Sequence, residues 1–134
     1  MLAAVFLGGC AGGLARHEVV QAWPAPTAAF PWATFVINCS GAFALALLLV
    51  LLLELRPGTT YLRPLLGTGF CGAWTTFSSI VASADQLIAH QHVATGVTYV
   101  LASAAGGLAA AALGLLLGRA VAARRHPSDE GERR

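Results

Sequence analysis

An asparagine at position 38, hydroxyls at Thr34, Tyr99 and Ser103, and a run rich in glycine, threonine and serine at 67–79 are the polar groups this chain keeps inside otherwise apolar stretches. A buried amide without partners costs about 1–3 kcal/mol, so Asn38 must either bind another helix or offer a donor to something that crosses. Thr34 lies one turn before it on the same helical face. Tyr99, Ser103 and Gly107 fall at i, i+4 and i+8 on another face, a polar track, although a helical serine can instead bond the carbonyl four residues earlier. The run Gly67-Thr68-Gly69-Phe70-Cys71-Gly72-Ala73-Trp74-Thr75-Thr76-Phe77-Ser78-Ser79 holds three glycines and five hydroxyls, a poor composition for a plain spanning helix. Irregular backbone at membrane depth persists only where protein buries it or a polar pathway needs it. Gly69 and Gly72 can unwind a helix at little steric cost, and carbonyls freed near Thr75 are the ligand type a hard cation takes. Phe77 and Ile80 follow at i, i+3. A phenylalanine edge carries the positive lobe of the ring quadrupole and can line a path for a small anion; taken alone, Phe77 reads as a core side chain.

These groups need membrane-spanning elements to hold them. With 57% hydrophobic and 10% charged residues among 134, the chain cannot dress a soluble domain in a polar shell. A helix needs about 20 apolar residues to cross the hydrocarbon core, and four windows come close, at about 2 to 22, 32 to 54, 63 to 87 and 94 to 119. The first lacks a basic leader and carries Arg16 and several glycines, so it reads as a retained span rather than a signal peptide. Breaks fall at Trp23-Pro24-Ala25-Pro26-Thr27, Arg56-Pro57-Gly58-Thr59-Thr60 and Ala89-His90-Gln91-His92. The expected organisation is one four-helix channel-like unit over 1–122 and a charged, disordered tail over 123–134. Cys10, Cys39 and Cys71 fall one to a span with no paired spacing and read as small buried hydrophobes.

With four spans both termini share a side with the second break, and that side carries Arg56, Arg63, Arg119, Arg124, Arg125, Arg133 and Arg134 against Arg16 alone on the other. The positive-inside rule then puts both termini in the cytoplasm. Arg16, near the end of the first span, reads as an interface anchor whose guanidinium snorkels to headgroups. Gly8/Gly12 and Gly9/Gly13 form overlapping GxxxG pairs, and Ala102, Gly106, Ala110, Gly114 and Gly118 recur at every fourth position of the last span. Small residues on one face let backbones approach, within the chain or across an oligomer interface. Four helices enclose little space by themselves, which favours a dimer.

Three segments resemble a known family. Gly8-Gly9-Cys10-Ala11-Gly12-Gly13-Leu14-Ala15-Arg16-His17 resembles the GGxxGAxxRY pattern of the bacterial fluoride channels (Fluc, also called CrcB). Thr34-Phe35-Val36-Ile37-Asn38-Cys39-Ser40-Gly41-Ala42-Phe43 is similar to their TLxVNxxGsF, and Gly69-Phe70-Cys71-Gly72-Ala73-Trp74-Thr75-Thr76-Phe77-Ser78-Ser79 to their GFcGgfTTFST. The motifs occur in order across nearly the whole chain. The resemblance implies an all-α fold with a broken third helix, an antiparallel dimer in the bacterial plasma membrane, two fluoride pores, and one structural sodium ion, not itself transported. By motif position the Gly72 and Thr75 carbonyls hold sodium, Asn38 donates to fluoride, Phe77 lines the pore, and Thr34, Tyr99 and Ser103 form the polar track. Two positions depart from the pattern: the second phenylalanine is Ile80, and the last hydroxyl of the fourth helix is Gly107.

Fluoride is tightly hydrated, so a pore must replace its water with donors that still release it, a task for amides, hydroxyls and aromatic edges rather than a fixed Arg. The expected function is passive fluoride efflux. A small multidrug exporter, also four helices and dimeric, needs a membrane-embedded carboxylate, and Glu18, Glu54 and Asp85 all lie near span ends. A purely structural subunit leaves the run at 67–79 without a reason. No nucleophile, base or ligand set supports an enzyme, and no nucleic-acid partner is expected. Because the charge lean favours one orientation of insertion, the expected partner is an oppositely oriented paralogue.

Overall fold

In hydrocarbon every backbone N–H and C=O must pair within its own segment or bury against protein, which favours helices wherever apolar residues run long. The computed structural model describes residues 1–54 and 60–125, and all the regular structure among them is helical. Arg56-Pro57-Gly58-Thr59 of the second break, and the tail from His126, lie outside the described residues. In chain order the elements are α1 (Leu2–Ala22), α2 (Trp32–Glu54), the π-helical segment π1 (Arg63–Cys71), the single turn α3 (Gly72–Trp74), α4 (Ser78–Ala89) and α5 (Val93–Arg125). Three stretches, Trp32–Leu53, Arg63–Ala89 and Val93–Arg124, are long and apolar enough to cross a membrane. At 21 residues α1 is about 31 Å long, with Arg16, His17 and Glu18 in its second half, and is not one of the three.

Glycines set the packing. In α5, a Cβ on Gly106 would meet the Phe35 ring and Cys39 Sγ, one on Gly114 the backbone of Phe43, and one on Gly118 the Val50 side chain, so this ridge seats α5 on α2. Gly8 and Gly12 of α1 lie directly on the Leu65 and Phe70 carbonyls of π1, and Gly69 faces the Val5 carbonyl and Gly8 in return. Backbones this close gain dispersion and weak polar contacts that bulkier residues would forbid. The second GxxxG pair behaves differently: a Cβ on Gly9 or Gly13 would meet nothing within 4 Å. Cys71 is buried and Cys39 half-buried, but Cys10 is exposed on α1, so one of the three cysteines is not a core residue.

The glycines of the third stretch do not unwind it. Gly72 has φ −64° and ψ −34°, and no described glycine has positive φ. Through π1 the backbone remains helical but widened, with the Gly72 N–H reaching the Gly67 carbonyl five residues back, a pattern found frequently at functional sites. Helical pairing runs as far as the Thr75 N–H, which bonds the Cys71 carbonyl at 3.0 Å, and stops at Thr76. Thr75 is extended, with φ −77° and ψ 154°, and the helix resumes at Ser78.

Candidate functional site

Two diverted hydrogen bonds account for the interruption at Thr75–Phe77. In an unbroken helix the Thr76 N–H would bond the Gly72 carbonyl; instead it donates to Asn38 Oδ1 of α2 at 2.7 Å. Likewise the Ser79 N–H, the helical donor for the Thr75 carbonyl, goes to Thr76 Oγ1 at 3.2 Å. The Thr76 hydroxyl also bonds Ser79 Oγ at 3.1 Å and lies 3.2 Å from Ser78 Oγ, so it satisfies the start of α4. Asn38 is locked in turn by its Nδ2, which donates to the Thr34 carbonyl at 3.0 Å, leaving one amide hydrogen without a partner among the described residues. A further clamp joins α2 to α3, the Trp74 Nε1–H donating to Ser40 Oγ at 3.0 Å. Beneath it, a side chain on Gly41 would strike Thr75 and Trp74.

The Gly72 and Thr75 carbonyls are thus two of the run of carbonyls left without helical donors; those of Ala73 and Trp74, whose donors would be the Phe77 and Ser78 N–H groups, are the others. The Gly72 and Thr75 carbonyls are the ones the resemblance assigns to sodium, and neutral oxygens without a donor suit a hard cation. Arg16 Nη1 also approaches the Thr75 carbonyl at 3.4 Å, using one of its two lone pairs. Neutral carbonyls are thus the ligand type a hard cation takes, but two form only part of a shell and the Arg16 guanidinium already shares one of them. Among the described residues no group of three or more His, Cys, Asp or Glu side chains could hold a metal.

Beside the interruption lies a cleft of about 330 Å³ that brings together Asn38, Thr75, Thr76, Phe77, Ile80 and Gly107. Phe77, which reads from sequence as core, is 78% exposed here, because it sits where the helix is interrupted and no element of this chain packs over it. Ile80 is half-buried and offers an aliphatic wall. Tyr99, 0% exposed, packs edge-on against Phe30 at 5.1 Å. Its hydroxyl lies beside those of Thr34, Ser103 and Ser83. Yet neither Tyr99 Oη nor Ser103 Oγ is in hydrogen-bonding geometry with any described group. Ser103 thus does not bond the carbonyl four residues back, as a helical serine often does. Two buried hydroxyls without partners, each costing about 1–3 kcal/mol, mark a place where a ligand or water belongs.

Reasoning from sequence overlooked Thr76, whose N–H and hydroxyl both hold the interruption, and Ser83, which stands next to Tyr99. The Thr75-Thr76 doublet ahead of Ser78-Ser79 is the available signal for the first; a turn-capping hydroxyl commonly precedes a helix start.

Comparison with known proteins bears on this arrangement. The model of a family described as "CrcB-like protein, Camphor Resistance (CrcB)" matches residues 3–115. The chain is 49% identical over 125 residues to a protein of Streptomyces avermitilis named "Fluoride-specific ion channel FluC 3", covering 93% of this chain but 61% of that protein. It is 44% identical over 124 residues to "Fluoride-specific ion channel FluC 1" of Mycolicibacterium paratuberculosis, covering 92% of this chain and 94% of the relative. The FluC 1 of Mycobacterium tuberculosis is 44% identical over 125 residues, with the same 92% and 94% coverage.

Proposed function

This chain belongs to the CrcB-like protein family, and on that premise we propose that it is one subunit of a fluoride-specific channel through which fluoride leaves the cell passively. The observation that carries the reading is the pair of buried, unpartnered hydroxyls, Tyr99 Oη and Ser103 Oγ, aligned on α5 and leading toward the Asn38 cleft. Hydroxyls rotate, so each can donate to a passing anion and then release it. The remaining hydrogen of Asn38 Nδ2, the Thr34 hydroxyl and the edge of Phe77 complete a path of neutral donors. Such donors strip water from fluoride without trapping it, as a fixed cation would. Acid carries HF inward across the bilayer; it ionises in the neutral cytoplasm, and the channel returns the anion.

The pathway needs a second chain. Phe77 at 78% exposure, the cleft open beside it and the open Gly9/Gly13 face support an antiparallel dimer in the bacterial plasma membrane. The arginine lean supports cytoplasmic termini for this chain and an oppositely oriented paralogue as its partner. The interrupted third stretch is read as one spanning helix broken near its centre. Its Gly72 and Thr75 carbonyls would hold a structural sodium ion, which would supply a fixed positive charge at the interruption.

Purified chain in liposomes loaded with fluoride, with a potassium ionophore as shunt, tests this. Fluoride release well above protein-free vesicles is expected, for the chain alone or mixed with an oppositely biased family member. Its absence in both preparations sinks the channel reading.

A further inference from the structure

We infer that Ser83, with Gln86 and Thr27, forms a polar mouth through which the anion path leaves the chain at the end carrying the α1–α2 loop. This rests on the channel reading above. At that end a small cavity of about 70 Å³, room for a few water molecules, is lined by Thr27, Pro26, Pro31, Ser83, Gln86 and Leu87. Ser83 also stands beside the orphaned Tyr99 hydroxyl, so one side chain belongs to both the buried track and the cavity.

The helix period makes the connection continuous. On α4, Ile80, Ser83 and Gln86 follow at every third residue, each step turning about 60° around the helix, with Ile80 in the Asn38 cleft and the other two in the loop-end cavity. Opposite them α5 presents Gly107 in the cleft, then Ser103 and Tyr99 one and two turns nearer the loop end. Ile80 and Gly107 give no side-chain donor; the Ser78 and Ser79 hydroxyls stand with Thr76 at the interruption, and the next hydroxyl along α4 toward the loop end is Ser83. An anion taken up by Tyr99 therefore has Ser83 as its next hydroxyl, and then the amide of Gln86 beside water.

The test is fluoride release from liposomes by single variants. Ser83→Ala should lower the rate roughly tenfold, the effect of one lost hydrogen bond, and Ser83→Thr should restore most of it. Gln86→Cys, treated with a membrane-impermeant anionic thiol reagent, should conduct more slowly than after a cationic reagent of similar size, with unmodified chain under both reagents as reference. Ser83→Ala within about twofold of unmodified chain, below what loss of one hydrogen bond predicts, would overturn the inference while leaving the channel reading intact. So would full modification of Gln86→Cys without a dependence on reagent charge, which also decides the matter if Ser83→Ala does not fold. The variants are assayed in whichever preparation of unmodified chain conducts, alone or mixed with an oppositely biased family member; no fluoride release in either overturns the channel reading, and this inference with it.

Discussion

Asn38→Leu is expected to slow fluoride release from proteoliposomes by at least roughly a hundredfold, the combined effect of about two lost hydrogen bonds. The amide does three things at once. Its Oδ1 takes the Thr76 N–H at 2.7 Å, its Nδ2 holds the Thr34 carbonyl at 3.0 Å, and the remaining Nδ2 hydrogen lies beside the cleft without a partner among the described residues. Leucine fills a similar volume but leaves the Thr76 N–H either unpaired, at about 1–3 kcal/mol, or drawn back toward the Gly72 carbonyl. The second outcome would close the interruption and remove a free carbonyl as well as a donor. Asn38→Asp keeps the first of these three roles and removes the other two. Its carboxylate still accepts from Thr76, so the variant should elute from size exclusion as the unmodified protein does. It offers fluoride a negative charge in place of an N–H, so its release should fall at least as far as that of Asn38→Leu. Release by Asn38→Leu within roughly threefold of the unmodified chain, less than one hydrogen bond is worth, would remove Asn38 from the pathway.

Asn38 also shows what a single sequence discloses and what it withholds. An amide inside an apolar window is conspicuous because its cost is local and calculable. Its partner, the Thr76 N–H, lies 38 residues away, and no periodicity links the two. The helical class and the long apolar stretches are legible because hydrocarbon leaves the backbone almost no other choice. The point of interruption is less so. Composition draws attention to Gly69 and Gly72 as unwinding positions, but glycine serves equally for close approach, and Gly69 is used to admit the Val5 carbonyl of α1. The interruption falls instead at Thr75, where side chains capture two backbone N–H groups. Arg16 reads as a headgroup anchor because snorkelling is the cheapest fate for an arginine near a span end. Its guanidinium reaches the Thr75 carbonyl only because α1 packs against π1, through glycines whose contacts the sequence does not pair. The π-helical widening of Arg63–Cys71 leaves no trace in a pattern scanned at 3.6 residues per turn.

That α1–π1 contact supplies the other large effect. Gly12→Leu is expected to abolish recovery of folded protein, or to lower its thermal midpoint in detergent by many degrees, whereas Gly13→Leu should leave a single chain folded. At Gly12 even a Cβ would overlap the Phe70 carbonyl, which is backbone and cannot swing aside, so α1 must move off π1. Overpacking of this kind costs about 1–3 kcal/mol even where side chains can adjust, and here the adjustment also withdraws Arg16 from Thr75. In lipid no hydrophobic force compensates, since a separated helix face is solvated by acyl chains as readily as by its neighbour. Gly13 is one residue on and about 100° around the helix, where a Cβ would meet nothing within 4 Å. A leucine there starts from a Cβ that touches no part of its own chain. If Gly9 and Gly13 face a second subunit, Gly13→Leu should weaken chemical crosslinking of the dimer and slow fluoride release while the thermal midpoint of the separated chain holds. Equal loss of folded protein in both variants would contradict the close α1–π1 crossing as the source of stability. Full crosslinking by Gly13→Leu would move the dimer interface off this face of α1.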